Sequence, residues 1–226
     1  MEEFGPEIFI GDMSKLEQAA PMTCFCDLPL SKIESHLEFY GSYGIGLSKS
    51  WGEEKGLTPI TYIHNNSTQI NYIKQVGTLI FKAFDKDKFE KIPYDKNPLI
   101  ALFELAAFFK PYSGQMWRIS KYVDKRFYDE REWRYVPFIS EKDNQYRLSK
   151  DEFLNDIKRA SSNEVIGGKF ALKFSASDIK YLIVQKEAEM VALSDALDIM
   201  TDVYSIEEIK ILKTKIISSE QIKEDF

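Results

Sequence analysis

A single α+β domain, with a mixed and mostly antiparallel sheet and several helices packed on it, is the architecture this sequence predicts, on three observations. Short apolar runs bounded by Gly, Pro, Asn or Asp crowd the first third, two runs of helical period fill the middle, and the last third alternates the two kinds. No repeat, low-complexity tract or Pro/Gly/Ser linker divides the 226 residues, so 1–226 is expected to be one domain. A chain of this length buries roughly 70% of its unfolded surface on folding. Its 44% hydrophobic and 14% aromatic residues foresee an aromatic-rich core.

Taken in order, Glu7 to Ile10, Met22 to Cys26, Gly44 to Lys49 and Ile60 to Ile63 read as strands, with a helical stretch around His36 between the second and third. From Ser67, a plausible N-cap, Ile70, Ile73, Val76, Leu79, Ile80 and Phe84 recur at three- and four-residue steps, which is helical period. Pro98 opens a second helix, Leu99 to Phe109, apolar nearly all round and therefore central, and Pro111 stops it. The aromatic and charged run from Arg126 to Phe138 ends as a strand at Pro137. Ser149 with Glu152 three residues on is a capping box, and Phe153, Leu154 and Ile157 give that helix its apolar face. Phe170 to Phe174 and Tyr181 to Val184 read as strands around Ser-Ala-Ser-Asp. Leu193 to Met200 reads as a helix, Ile211 to Ile217 as a strand, and Ser219 onward as a charged terminal helix.

The balance of 30 basic against 36 acidic residues, net −6, removes any global attraction to nucleic acid or anionic membrane and leaves nucleic acid only a local patch. Such a patch would lie where every arginine lies, between Arg118 and Arg159, because a guanidinium grips anions bidentately. Cys24 and Cys26, two apart on a strand and so roughly 7 Å apart on one face, read as reduced, buried small hydrophobes. With only His36 and His64 to complete a set, no metal site is expected. The Met-Glu-Glu start has no basic or apolar leader and no apolar run approaches a membrane span, so a cytoplasmic protein without a membrane partner is expected.

Two constellations could carry chemistry. In the first, Asp27 precedes Tyr40-Gly-Ser-Tyr43-Gly-Ile-Gly, after which Lys49 and Trp51 lie two apart and share one side of a strand. A lysine beside an indole can hold an anionic group next to a flat ring. The plain structural account is that Trp51 covers the core edge while Lys49 snorkels over it. The glycines match no phosphate-loop or dinucleotide fingerprint. In the second, Glu130, Glu132 and Arg134 share one face of an extended strand, with Arg131 and Trp133 on the other. A solvated strand is the plain account. The chemical account makes Glu132 and Glu130 catalytic carboxylates that polarise a hydroxyl or stabilise a cationic sugar carbon, as in enzymes that break the nicotinamide ribosyl bond. Neither Ser-His-Asp nor Cys-His catalysis has a recognisable elbow.

The runs Cys-Phe-x-Asp-Leu-Pro-Leu30 and Tyr40-Gly-x-Tyr-Gly-Ile-Gly-x-x-Lys-x-Trp51, then Pro59-Ile-Thr-Tyr62, Glu130-x-Glu-Trp-Arg134 and Asp178-Ile-Lys-x-Leu-Ile-Val184, resemble the AbiGi family of bacterial abortive-infection proteins. That resemblance implies phage defence in a toxin–antitoxin-like system, with a cognate toxin, an antitoxin or a phage-derived component as partner. It assigns no catalytic residues. Beside it stands an ADP-ribosyltransferase-like alternative using NAD, with Glu132 as catalytic carboxylate, Tyr40 or Tyr43 stacking on nicotinamide, and Lys49 or Arg134 on phosphate. Against that alternative, Cys24 to Asp27 occupies the place where such enzymes carry the His or Arg that grips NAD.

Overall fold

The structure, a computed structural model, describes residues 18–83, 96–138 and 147–225, and the strand expected at Glu7 to Ile10 lies outside them. The chain opens with β1 (Gln18–Ala19) and β2 (Thr23–Cys26). A 3-10 turn at Leu30–Lys32 leads into α1 (Glu34–Tyr40), which carries His36, buries Leu37 and ends at Gly41, whose φ of 107° suits glycine alone. After β3 (Gly44–Leu47), α2 (Lys49–Glu54) begins at once, where the sequence suggested a strand running to Lys49. Ser48 is the cause: its hydroxyl accepts from the Trp51 N–H and starts a helix. Lys49 and Trp51 are therefore about 200° apart around a helix axis and do not share a strand face.

Next come β4 (Thr58–Pro59), β5 (Thr61–Ile63) and α3 (Thr68–Ala83), where helical period predicted a helix. The apolar helix α4 (Pro98–Ala106) starts at the predicted proline but stops short of Phe109, because Phe109 begins β6 (Phe109–Pro111), paired in parallel with β5. Pro111 thus closes a strand, not a helix. Strands β7 (Gly114–Arg118) and β8 (Lys121–Lys125) form a hairpin whose two turn residues, Ile119 and Ser120, have φ of 45° and 67°. A 3-10 turn, Phe127–Glu130, and left-handed Arg131 (φ 46°) precede β9 (Glu132–Tyr135). β10 (Leu148–Ser149) runs into α5 (Lys150–Leu154) through the predicted Ser149–Glu152 capping box, and Asn155 caps α6 (Asp156–Phe170). That helix runs through Phe170, so the strand expected at Phe170 to Phe174 does not form.

The last third holds β11 (Ile179–Val184), α7 (Glu187–Asp198), α8 (Ile206–Lys213), β12 (Ile216–Ser218) and α9 (Ser219–Asp225). A strand from Ile211 was expected, yet Ser205 and Glu208 build a capping box that commits the chain to a helix, and pairing begins only at Ile216.

The fold is α+β, and the chain gathers into two compact units, one from residues up to Phe25 with Pro59–Ala171, the other from Cys26–Thr58 with Leu172–Phe226. In the first, β1 pairs with β10, β5 with β6 and β7 with β8, while β9 is central in a sheet ordered β2–β9–β4. Ile60, Ile63, Leu102, Ala107 and Phe127 are buried there. In the second, β11 lies between β12, parallel, and β3, antiparallel. Its core is Ala176, Ile179, Leu197, Ile209 and Leu212. Gly46 is required in β3, since a Cβ there would come within 2.9 Å of the Tyr181 ring.

Candidate functional site

The first unit holds a cluster of charges where apolar side chains would ordinarily sit. Lys110 is the middle residue of β6; Phe109 and Pro111 are half-buried, while Lys110 itself is 2% exposed. Its Nζ donates to Glu130 Oε2 at 2.6 Å and to Glu132 Oε2 at 2.8 Å. Lys125 Nζ, from β8, reaches Glu130 Oε1 at 2.5 Å. Arg134 Nε donates to Glu132 Oε1 at 2.5 Å, and its guanidinium also donates to the Ala107 carbonyl. All four carboxylate oxygens of Glu130 and Glu132 therefore meet a cation, and three cations enclose two acids. Neutral walls close the group: Lys110 Nζ lies 4.9 Å from the centre of the Phe127 ring, and the Tyr62 hydroxyl accepts from the Glu132 N–H at 2.8 Å. Tyr128 packs edge-on against Tyr62 and stacks with Tyr112.

Local backbone geometry explains why both acids reach one place. Glu130 ends a 3-10 turn and Glu132 starts a strand; a continuous extended strand would align them, but here left-handed Arg131 turns the chain between them. Glu132 and Arg134 do share the buried face of β9, and Ile60 N–H donates to the Glu132 carbonyl to fix that strand. The expected solvated strand is instead almost wholly covered: Glu130 and Glu132 are each 6% exposed.

Electrostatics follow from this packing. Burial alone would push the Glu132 carboxyl up, but hydrogen bonds from Arg134 and Lys110, and their positive charge, hold it below the usual carboxylate range. The Cys24 thiol is pushed up to about 12, first by burial and then by its hydrogen bond to Glu132 and that group's negative charge. The Tyr62 phenol is pushed up to about 12 as well, chiefly by burial. Cys24 is thus not the buried hydrophobe the sequence suggested: the residue is exposed, and its thiol turns inward to a carboxylate. Lys110, Lys125 and Tyr62 are members that sequence reasoning passed over. The signal for Lys110 is a lone lysine inside the run Phe108-Phe109-Lys110-Pro111.

The other candidate residues lie in the second unit. Lys49 Nζ meets Asp27 Oδ2 at 2.7 Å, both well exposed. Tyr43 is exposed and its hydroxyl donates to Glu189 Oε1 at 2.9 Å, while Glu189 also accepts from the Gln185 and Lys186 N–H groups and so fixes the start of α7. Tyr40 is exposed, with its ring 4.5 Å from that of His36. Trp51 is 4% exposed; its Nε1–H donates to the Lys173 carbonyl and Phe174 packs edge-on against it, which makes it an anchor of that unit. Glu130, Glu132 and Arg134 are thus brought together in one unit, and Asp27 and Lys49 in the other. Among the described residues no group of three or more His, Cys, Asp or Glu could hold a metal ion, and no helix is long and apolar enough to cross a membrane.

Comparison with known proteins bears on both units. Residues 9–185 match a family model described as "Putative abortive phage resistance protein AbiGi, antitoxin". The chain is also 31% identical over 185 residues, 73% of its own length and 71% of the relative's, to the "Abortive phage resistance protein AbiGi" of Lactococcus lactis subsp. cremoris. No solved structure matches it.

Proposed function

The chain belongs to the AbiGi family of abortive phage resistance proteins, a family of anti-phage defence, and from that premise we propose that it acts by binding a protein partner, a cognate toxin, as the antitoxin of a two-component system. One observation carries this reading: every oxygen of the two candidate catalytic carboxylates is already held by a buried cation. A general base needs a free lone pair and a pKa near working pH, whereas Glu132 is held ionised and spoken for. A carboxylate that stabilises a cationic sugar carbon must face that carbon, and here the Lys110 ammonium fills the position. The cluster fits a structural keystone, which leaves exposed groups such as Tyr40, Tyr43, Lys49 and Asp27 to make contacts with a partner.

The ADP-ribosyltransferase-like alternative draws on a single feature, the Glu-x-Glu pair beside Arg134 and two tyrosines, and both readings meet in one experiment. Wild type and Glu132→Gln are expressed alone, and then with a candidate cognate toxin; the purified proteins are incubated with NAD. The antitoxin reading expects harmless expression, growth rescue on co-expression, and no nicotinamide release. Toxicity and nicotinamide release by wild type, both lost in a folded Glu132→Gln, would establish the enzyme instead.

A further inference from the structure

In the second unit the sheet ordered β12–β11–β3 ends on β3, and among the described residues no strand pairs with its outer side. Ser48, the residue after β3, donates its N–H to the carbonyl of Asp178, the residue before β11. At the other end, the carbonyls of Ser42 and Val184 share the Ser219 hydroxyl. Alternation between these two fixed points turns the N–H and C=O of Gly44 and Gly46 toward β11, and those of Tyr43, Ile45 and Leu47 outward. Ile45 stands opposite Leu182 in the ladder, and Leu182 and Leu47 pack on the core of the unit, so Ile45 shares their face. Yet Ile45 is 55% exposed and Tyr43 63%. Core-facing apolar surface thus runs out to an open edge. The usual guards are missing, since β3 is Gly-Ile-Gly-Leu, without lysine or proline, and the bulge of this ladder falls in β11, between Ile179 and Tyr181. The opposite edge is guarded: Ser218 of β12 is wholly buried, and its N–H donates to the Gln221 side chain.

We propose that a second copy of the chain occupies this edge, β3 pairing antiparallel with the copy's β3 about a two-fold axis through Ile45, so that two three-stranded sheets become one. Such an axis must pass through a residue position if both strands are to keep their faces. Ile45 is the position that engages every outward residue: Ile45 pairs with the copy's Ile45, and Tyr43 with the copy's Leu47, whereas an axis through Gly44 or Gly46 leaves one of them unpaired. On the core face the rungs are then apolar throughout, Leu182 and Ile45 of one copy continuing into those of the other. On the opposite face Gly44 meets the copy's Gly46, where no side chain obstructs and the Tyr181 ring already packs against Gly46. Charge does not oppose the approach, because Lys49 is paired with Asp27 and the Tyr43 hydroxyl donates to Glu189. An extended segment of another protein would meet the same backbone groups. What selects a copy is the self-complementary order Tyr43-Gly-Ile-Gly-Leu47, apolar at alternate positions about Ile45 with glycine between them. A seam this short lies at the small end of specific interfaces, so the dimer is weak, with a dissociation constant on the order of 10 μM. The inference rests on this edge and not on the antitoxin reading.

Sedimentation equilibrium of the full chain over about 1–300 μM should show monomer passing to dimer and to nothing larger, since two-fold pairing leaves no β3 edge open. Ile45→Lys sets two like charges opposite each other on the axis and should raise the dissociation constant about tenfold or more. The position is exposed, so the melting temperature of the dilute protein should not move. Register is read by oxidation in a Cys24→Ser, Cys26→Ser background. Ile45→Cys should cross-link two chains, because an antiparallel rung holds its Cα atoms about 5.5 Å apart or less, within disulfide reach. Gly44→Cys, where a Cβ meets only Ile183 at 3.7 Å, should not. Between dilute and concentrated solution the Ile45 amide should gain exchange protection, while those of Gly44 and Gly46, already turned to β11, should not. A monomer at every concentration, growth beyond the dimer, a dimer that Ile45→Lys leaves intact, or cross-linking of Gly44→Cys in preference to Ile45→Cys would each overturn the proposal. Protection of the Ile45 amide only on adding a candidate cognate toxin would give the edge to that partner and overturn it as well.

Discussion

Lys110 is the residue on which the buried cluster turns, because it bridges Glu130 and Glu132. Removing one member of a buried ionic group leaves its partner charged and unpaired, at a cost of about 3–5 kcal/mol. Glu132→Gln should therefore lower the melting temperature by on the order of 10 °C in a chain of this size. The pH dependence has a definite sign. The folded Glu132 carboxyl lies below its unfolded value, so its contribution is complete above the ordinary carboxylate range and is lost as pH falls through the folded value. Acid titration of stability should be shallower in Glu132→Gln than in wild type, and an equal slope would show that this carboxylate is not the group that titrates. Cys24 supplies a second check at the same carboxylate. With a thiol pushed from 9.0 to about 12, its thiolate fraction at pH 8 falls from about one in ten to about one in ten thousand. Iodoacetamide should spare Cys24 at that pH although the residue is exposed, and Glu132→Gln should restore part of its reactivity, since burial, the larger cause, remains.

The elements show which signals a sequence carries and which it hides. Helical period was legible over α3, and the Ser149–Glu152 box over α5, because both rest on contacts within a few residues. Glu132 and Arg134 could be read as neighbours from a period of two. Lys110 could not be attached to them, since its side chain comes from β6, 22 residues before Glu132, and Lys125 could not be attached to Glu130, since it comes from β8 through a turn that no local period marks. Three misread elements share one reason: α2, α6 and α8 begin at polar caps, Ser48, Asn155 and Ser205, that carry helix past strand-like composition, whereas the helix expected to reach Phe109 gives way to β6 because that segment pairs with β5. The hairpin turn goes against its own local preference. A two-residue turn with both φ values positive favours Asn-Gly, and a β-branched residue at φ 45° is strained. Ile119→Asn with Ser120→Gly should stabilise the chain by about 1 kcal/mol, or about 2–4 °C in melting temperature. A fall in melting temperature would mean that the Ile119 side chain is held by contacts worth more than the strain.

At the scale of the whole chain, connectivity makes a case for one cooperative fold. Each compact unit is made of two separated segments, so the polypeptide passes between them three times. In the second unit, β3 pairs with β11 across more than 130 residues of sequence, and the loop closed by that pairing contains Pro59–Ala171 of the first. Loop-closure entropy rises only slowly with length for a disordered loop, but melting the first unit alone would release more than a hundred residues inside it and relax the constraint that holds the ends of the second unit together. Neither unit can then unfold without changing the free energy of the other. The expectation is a single transition: in urea, the amides of β9 and of β11 should lose exchange protection at the same midpoint, and Glu132→Gln, a change confined to the first unit, should move both midpoints equally. Early loss at β9 with β11 unmoved would divide the chain into two independent domains.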